Sequence, residues 1–278
     1  MNVANGGPIA EGGPTGEDPA ALIDSSVPHS ARMWNYWLGG KDNYEADRVA
    51  ADQFAAAFPA IAANARAFRA FLSRAIRYLA DEAGVRQFLD VGTGLPTVDN
   101  THEIAQRVAP DSRIVYVDND PLVLAHARAL LTSTPEGATA YLDADLHRPA
   151  AILAEARRTL DFERPVALIL SGILGHVTDD EEALGIVREL TEALPSGSYL
   201  LVCDGTDTDE TLKKAQEEHN EGGQVQYRLR SPEELGGFFA GFDLVEPGIV
   251  SCPLWRPNPS QVGSAVPVDS YGGVGRKP

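Results

Sequence analysis

Phe88-Leu89-Asp90-Val91-Gly92-Thr93-Gly94-Leu95-Pro96 decides how this chain folds. An apolar run of strand length ends in Asp-x-Gly-x-Gly, whose glycines let the backbone turn sharply and let a ligand come close to it. Pro96 stands where a following helix would begin. Four more apolar runs repeat the plan at Arg113–Val117, Ala140–Leu142, Val166–Leu170 and Ser198–Cys203. Each is closed by a polar or Gly-containing turn, with helical segments between. The closing residues are Asp90, Asp118, Asp145, Ser171 and Asp204, at separations of 28, 27, 26 and 33 residues. A βαβ unit takes about 30 residues. The spacing therefore predicts an α/β fold with a doubly wound, mostly parallel sheet, and places these five groups at the strand ends where such sheets bind ligands.

The flanks complete the expected architecture. An alanine-rich helical stretch runs from about Asn43 to Asp81, with Ile61, Ala65, Phe68, Leu72, Ile76 and Leu79 forming one apolar stripe. Two helix starts are marked: Thr178 with Glu181 fits a capping box, and Ser231-Pro232-Glu233-Glu234 combines N-cap, first-turn proline and N3 glutamate. Phe238 to Cys252 looks like two strands joined by a Glu246-Pro247-Gly248 turn. With no helix between them they can pair only antiparallel, which brings the sheet to seven strands with an antiparallel last strand. The Pro/Gly-rich remainder from Pro253 to Pro278 reads as irregular. The division is then a flexible tail over 1–27, a helical cap over 28–82 and an α/β unit over 83–278.

Composition removes several classes of function. The 278 residues carry 23 Lys+Arg against 40 Asp+Glu, a formal net charge of −17. A polyanion such as nucleic acid or an anionic membrane would be repelled over much of this surface. No apolar run of about 18 residues occurs, so no membrane span is expected. Met1 to Ala20 has no Lys or Arg, five Gly and three Pro, and reads as a tail rather than a secretory signal. Two cysteines, Cys203 and Cys252, exclude a disulfide framework or a four-thiolate metal site, and no metal is expected. The expectation is a reduced, cytoplasmic protein whose partner is a small molecule; nothing in the sequence sets its oligomeric state.

A bare Gly-x-Gly is shared by many nucleoside binders, and Asp90 separates them. A pyrophosphate site wants backbone donors and a helix dipole without a nearby carboxylate, whereas a ligand bearing an ammonium and a sulfonium wants the carboxylate. The dinucleotide fingerprint also lacks its third glycine, where Thr97 stands. Asp118 closes Val115-Tyr116-Val117 and lies 24 residues after Gly94, placed to accept hydrogen bonds from both ribose hydroxyls. Asp145, in Leu142-Asp143-Ala144-Asp145-Leu146, can accept from an adenine amine. Each aspartate alone reads equally well as a turn residue or N-cap; three in a matched series with the glycine turn argue for a site.

Together these residues resemble the class I S-adenosylmethionine-dependent methyltransferases, a Rossmann-like fold. Asp90-Val91-Gly92-Thr93-Gly94 is similar to their first motif, Asp118 to their ribose acid and Asp145 to their adenine contact, while Pro96 departs from the third glycine many members carry. Pro28-His29-Ser30-Ala31-Arg32-Met33-Trp34-Asn35-Tyr36-Trp37-Leu38-Gly39-Gly40-Lys41-Asp42-Asn43-Tyr44 resembles the opening signature of an actinobacterial S-adenosyl methyltransferase family. So do Gly92-Thr93-Gly94-Leu95-Pro96-Thr97, with Asn100-Thr101-His102, and Val117-Asp118-Asn119-Asp120-Pro121. The resemblance implies S-adenosyl-L-methionine as cofactor, methyl transfer as reaction, and cofactor contacts at Asp90, Gly92, Thr93, Gly94, Asp118, Asn119, Asp145, Leu146 and Ser171.

Other residues carry two readings each. His176, after the fourth strand, is a candidate general base or simply a residue at a helix start held by a backbone carbonyl. Trp34, Tyr36 and Trp37 can stack on a ligand or pack a core. Arg32 to Tyr44 is expected to lie over the cofactor, with Gly39-Gly40 as hinge and Tyr36 or Lys41 in contact range. Cys203 and Cys252 are expected to be unbridged and far apart. Two rival functions stand beside methyl transfer: a non-catalytic module that binds the cofactor, and an NAD(P)-dependent oxidoreductase.

Overall fold

The computed structural model describes residues 23–97, 99–130, 132–222 and 225–278, and side chains 128–130 stand outside that description. Of the tail expected over 1–27, residues 1–22 lie outside the described residues. All five apolar runs are strands: β1 (Gln87–Val91), β2 (Arg113–Asp118), β3 (Ala138–Asp143), β4 (Ala167–Ser171) and β5 (Tyr199–Gly205). They run parallel in the order β3-β2-β1-β4-β5, so strand order reverses between β1 and β4. The ligand crevice of an open sheet lies at that reversal. Three helices precede β1: α1 (Ser30–Trp37), α2 (Glu45–Ala57) and α3 (Ile61–Asp81). Between and after the parallel strands come α4 (Thr101–Val108), α5 (Pro121–Leu130), α6 (Pro149–Ala156), α7 (Asp180–Glu192), α8 (Glu210–Glu221) and α9 (Pro232–Gly237).

Side chains alternate across a strand, and the core divides accordingly. Leu89, Val91, Val115, Val117, Leu168, Leu170, Leu200 and Val202 bury one face against α6, α7 and α9. Phe88, Ile114, Tyr116, Ile169, Leu201 and Cys203 bury the other against α3 and α4. Asp90 shares the parity of Phe88 and so faces α3. The α3 stripe of Ile61, Ala65, Phe68, Leu72, Ile76 and Leu79 is buried throughout.

Local chemistry moved several boundaries. The long helix expected over 43–81 breaks at Phe58-Pro59-Ala60. Proline disfavours the helical conformation of the residue before it, and Phe58 leaves the helix at φ −131, ψ 87. Pro96 does not open α4, which starts only at Thr101, capped by Asn100 with Glu103 accepting from the Asn100 N–H at 2.8 Å. Nor does Thr178 cap α7: Asp179, one residue later, accepts from the Glu182 N–H at 2.9 Å. The Ser231 box forms as read.

The C-terminal region departs further. Phe238 to Cys252 does not make a hairpin, and Pro253 to Pro278 is not irregular. The strand beside β5 is β8 (Ser270–Arg276), antiparallel over its whole length. The two expected strands survive as two-residue pieces, β6 (Asp243–Leu244) and β7 (Val250–Ser251), both on the far edge of β8. The sheet therefore has eight strands rather than seven. This rearrangement also overturns the expected separation of the cysteines. Cys203 stands opposite Gly272 of β8 and Cys252 follows Ser251, which stands opposite Tyr271. The two free, buried thiols consequently meet, Sγ to Sγ at 3.2 Å.

Among the described residues no helix is long and apolar enough to cross a membrane.

Candidate active site

The β1 turn is shaped by its neighbours. Gly92 has φ 75, and a Cβ there would stand 2.6 Å from Ile173 of the β4 loop, so the two loops pack backbone against side chain. Gly94, at φ 67, faces open space, with nothing within 4 Å of a Cβ position. Its N–H donates to Asp118 Oδ2 at 2.8 Å, while the Asp120 N–H donates to Oδ1 at 3.0 Å. Burial pushes the Asp118 carboxyl above its ordinary value against these two donors. Each carboxylate oxygen accepts more than one hydrogen bond, so Asp118 retains capacity for a ligand diol.

Asp90 is more deeply enclosed. Its Oδ2 accepts from the Thr101 hydroxyl at 2.6 Å, and burial lifts its pKa to about 6 despite that bond and the nearby Arg69 guanidinium. At the outer rim, partial burial raises the Asp145 carboxyl, but the N–H and ring of His147 outweigh it and leave the group below its ordinary value. Thr93, Asn119, Leu146 and Ser171 line the same crevice.

These groups border a single cavity of about 490 Å3, within the range of pockets that hold drug-sized ligands. It contains all nine cofactor contacts implied by the resemblance, together with His176. It also receives α1, through Ser30, Met33, Trp34, Asn35 and Trp37. The opening segment thus does cover the crevice, but Tyr36 and Lys41 are not among the lining residues. Tyr36 points outward and donates to Asp52 Oδ1 at 3.0 Å. The Gly39-Gly40 pair is a fixed turn, with the Gly40 N–H bonded to Asn35 O at 2.8 Å and its Cα packed on the Asn35 side chain.

Several lining residues lie outside the contacts expected from the sequence. His29 caps α1, its Nδ1 accepting from the Ala31 N–H at 3.3 Å, and its ring stands beside Asp120 at the end of β2, Nδ1 to Oδ2 at 3.1 Å. Tyr227 lies across the pocket from the cover; its hydroxyl donates to the buried Asp204 carboxylate, whose pKa burial lifts to about 6. Its ring meets His176 edge to face at 5.0 Å. His176 sits in a 3-10 turn, Leu174–His176, and its Nδ1 lies 3.1 Å from the Gln226 carbonyl. A carbonyl can only accept, so Nδ1 carries the proton and Nε2 keeps a lone pair. Burial holds the His176 pKa below the ordinary histidine value. Among the described residues no three His, Cys, Asp or Glu side chains come together to hold a metal ion.

A glycine turn, a buried acid after β2 and a cavity at the strand reversal define an α/β enzyme built for a nucleoside cofactor. The chain belongs to the S-adenosyl methyltransferase family, whose model matches residues 16–278. Among solved structures it is similar to a DUF574 family protein from Streptomyces avermitilis, at 48% identity and a TM-score of 0.88, covering 92% of this chain and 99% of that one. It is similar also to a methyltransferase from Thermobifida fusca described as putative, at 40% identity and a TM-score of 0.83, covering 95% and 99%. Comparison with curated proteins found no match. The protein is an S-adenosylmethionine-dependent methyltransferase, which sets aside the oxidoreductase.

Proposed function

We propose that the enzyme methylates an uncharged small-molecule acceptor, with His176 taking the acceptor's proton. The observation that carries this reading is the single cavity joining the nine cofactor contacts to His176. When bound, S-adenosylmethionine supplies a methyl group whose bond to sulfur breaks to leave a neutral thioether. The open space over Gly94 and the spare acceptor capacity of Asp118 fit its ribose. Asp90, largely ionised well above pH 6, would hold its cationic part, and Asp145 with Leu146 would hold its adenine. Helices α1 to α3, within residues 28–82, exclude water above the 83–278 unit.

An alcohol, phenol or neutral amine acceptor must lose a proton. His176 is suited to take it at Nε2, since its Nδ1–H is held by the Gln226 carbonyl and its lowered pKa keeps the ring neutral at pH 7. The net charge of −17 supports a small acceptor over a nucleic acid, and the two free thiols support a reducing, cytoplasmic setting. The test is S-adenosylhomocysteine formation across a panel of alcohols, phenols and amines, with wild type and His176→Gln. A general base contributes about 10²–10⁴-fold, so the variant should lose at least a hundredfold in turnover while S-adenosylhomocysteine affinity stays within twofold. Wild-type activity should still hold at about pH 6.5, where an unperturbed histidine is half protonated, and fall only at lower pH, because burial holds the His176 pKa below that value. Undiminished turnover by the variant would remove His176 from the mechanism.

A further inference from the structure

The side of the cavity formed by the helices has an unusual wall. Phe68, Trp34, Trp37, Phe54 and His219 form one chain of ring contacts, at centroid separations of 5.3, 5.9, 5.4 and 5.7 Å in turn. All five rings line the cavity. They come from α1, α2, α3 and α8, four elements with no shared motif. Tyr227 and His176 line the same cavity, packed edge to face on each other at an interplanar angle of 85°. Trp37, Phe54, Ile61, Leu212 and Leu229 also form a small apolar cluster of their own. That cluster is bordered by cavity instead of closing on itself. Close-packed interiors do not leave such a space.

Among the polar side chains in this wall, which include Asn35 and Gln216, Asn64 stands out. Asn64 lies on α3 between Ile61 and Phe68, on the same helical face, and is 2% exposed. It lines the cavity, and its Oδ1 is buried without a hydrogen-bond partner. Buried polar groups are almost always satisfied, so this oxygen calls for a donor on a ligand. Charge narrows the ligand further. Arg69 is the sole Lys or Arg among the described lining residues, and it sits beside Asp90 at the cofactor end. A carboxylate or phosphate on the acceptor would find no cation at the aromatic end.

We infer that this end of the cavity is the acceptor site, shaped for a planar aromatic molecule whose hydroxyl donates to Asn64 Oδ1. The inference rests on the methyltransferase reading and deepens it. Aromatic walls favour a flat ring through edge and offset contacts, and the Asn64 oxygen rejects a ligand that cannot donate. This is a recognition contact, separate from the proton acceptor at His176, so the true acceptor carries a polar group beyond the one methylated.

The test is calorimetric titration of the protein saturated with S-adenosylhomocysteine, using 2-naphthol, 2-methoxynaphthalene and decahydro-2-naphthol as probes. Naphthol, flat and a donor, should bind at least tenfold tighter than its methyl ether, which cannot donate, or than the puckered saturated alcohol. Asn64→Leu should erase the preference for naphthol over the ether and leave S-adenosylhomocysteine affinity within twofold. Equal binding of naphthol and ether by wild type, or equal binding of the saturated alcohol, overturns the inference, as does an Asn64→Leu protein that keeps the preference. Should that variant fail to fold, the wild-type ranking alone decides. If S-adenosylhomocysteine itself gives no heat, the cofactor-site reading falls instead, and the ranking on the unloaded protein still tests this one.

Discussion

The two ends of the cavity are built in opposite ways. At the strand-loop end the lining is acidic and hydrogen-bonded: Asp118 is held by two backbone N–H groups, Asp90 by Thr101 and Asp145 by His147. At the other end the lining is aromatic, and the buried Asn64 amide oxygen has no partner. The first end is therefore preorganised before a ligand arrives, and it is assembled from residues spaced at the βαβ repeat. The second is a set of side chains from separate helices around a space. One end is suited to a constant ligand, the other to a ligand that shape selects.

The sharpest way to break this contrast is Asp118→Ala. It removes a charged acceptor whose hydrogen bonds are each worth about 1.5–3 kcal/mol, so S-adenosylhomocysteine affinity should fall a hundredfold or more by titration calorimetry. Because Asp118 also holds the Gly94 and Asp120 N–H groups, the melting temperature should drop as well. An unchanged affinity would mean the preorganised end is not the cofactor end.

Asp90→Asn should separate binding from stability. The folded pKa of about 6 exceeds the unfolded value of about 3.9, and each unit is worth 1.36 kcal/mol. Ionising Asp90 therefore costs the fold about 3 kcal/mol at pH 8, a penalty that shrinks as pH falls through 6 and vanishes below the unfolded value. The asparagine protein should melt several degrees higher than wild type at pH 8, with about half that advantage at pH 5, and should bind S-adenosylmethionine more weakly. A lower melting temperature at pH 8 would show that Asp90 and Arg69 act as a stabilising pair.

Tyr227→Phe should act on the acceptor side without reaching the cofactor. Its hydroxyl is a donor to the buried Asp204 carboxylate, and leaving that acceptor short costs about 1–3 kcal/mol. Melting should fall by a few degrees at pH 8 and by less at pH 5, because Asp204, already at about 6, loses its charge there. S-adenosylhomocysteine affinity should hold within twofold. The smallest effect is expected from Tyr36→Phe and Lys41→Ala, both outside the lining; a change in cofactor affinity beyond twofold would place them over the site after all.

The parallel strands and the acidic end were legible because each depends on short-range order. A glycine turn, the apolar run before it and the acid at the next strand end follow from one repeat. The wider placement of α1 over the crevice could be argued from Arg32 to Tyr44, but not which side chains point inward. Helical geometry turns Trp34 and Trp37 to the cavity and Tyr36 away from it. No spacing announced Asn64, His29, Tyr227 or His219. By its spacing Asn64 falls off the apolar stripe, with Arg66 and Arg69, yet the structure buries it between Ile61 and Phe68.

By itself the sequence determined the repeating parallel strands, the glycine turn and the acids at the strand ends, since these rest on backbone conformation and residue type at fixed separations. It could not determine that β8, rather than the segment ending at Cys252, pairs with β5, because antiparallel partners compete through contacts many residues apart. Nor could it assemble the aromatic wall. Four helices bring one or two rings each to a common cavity, and only their packing on the sheet decides which rings meet.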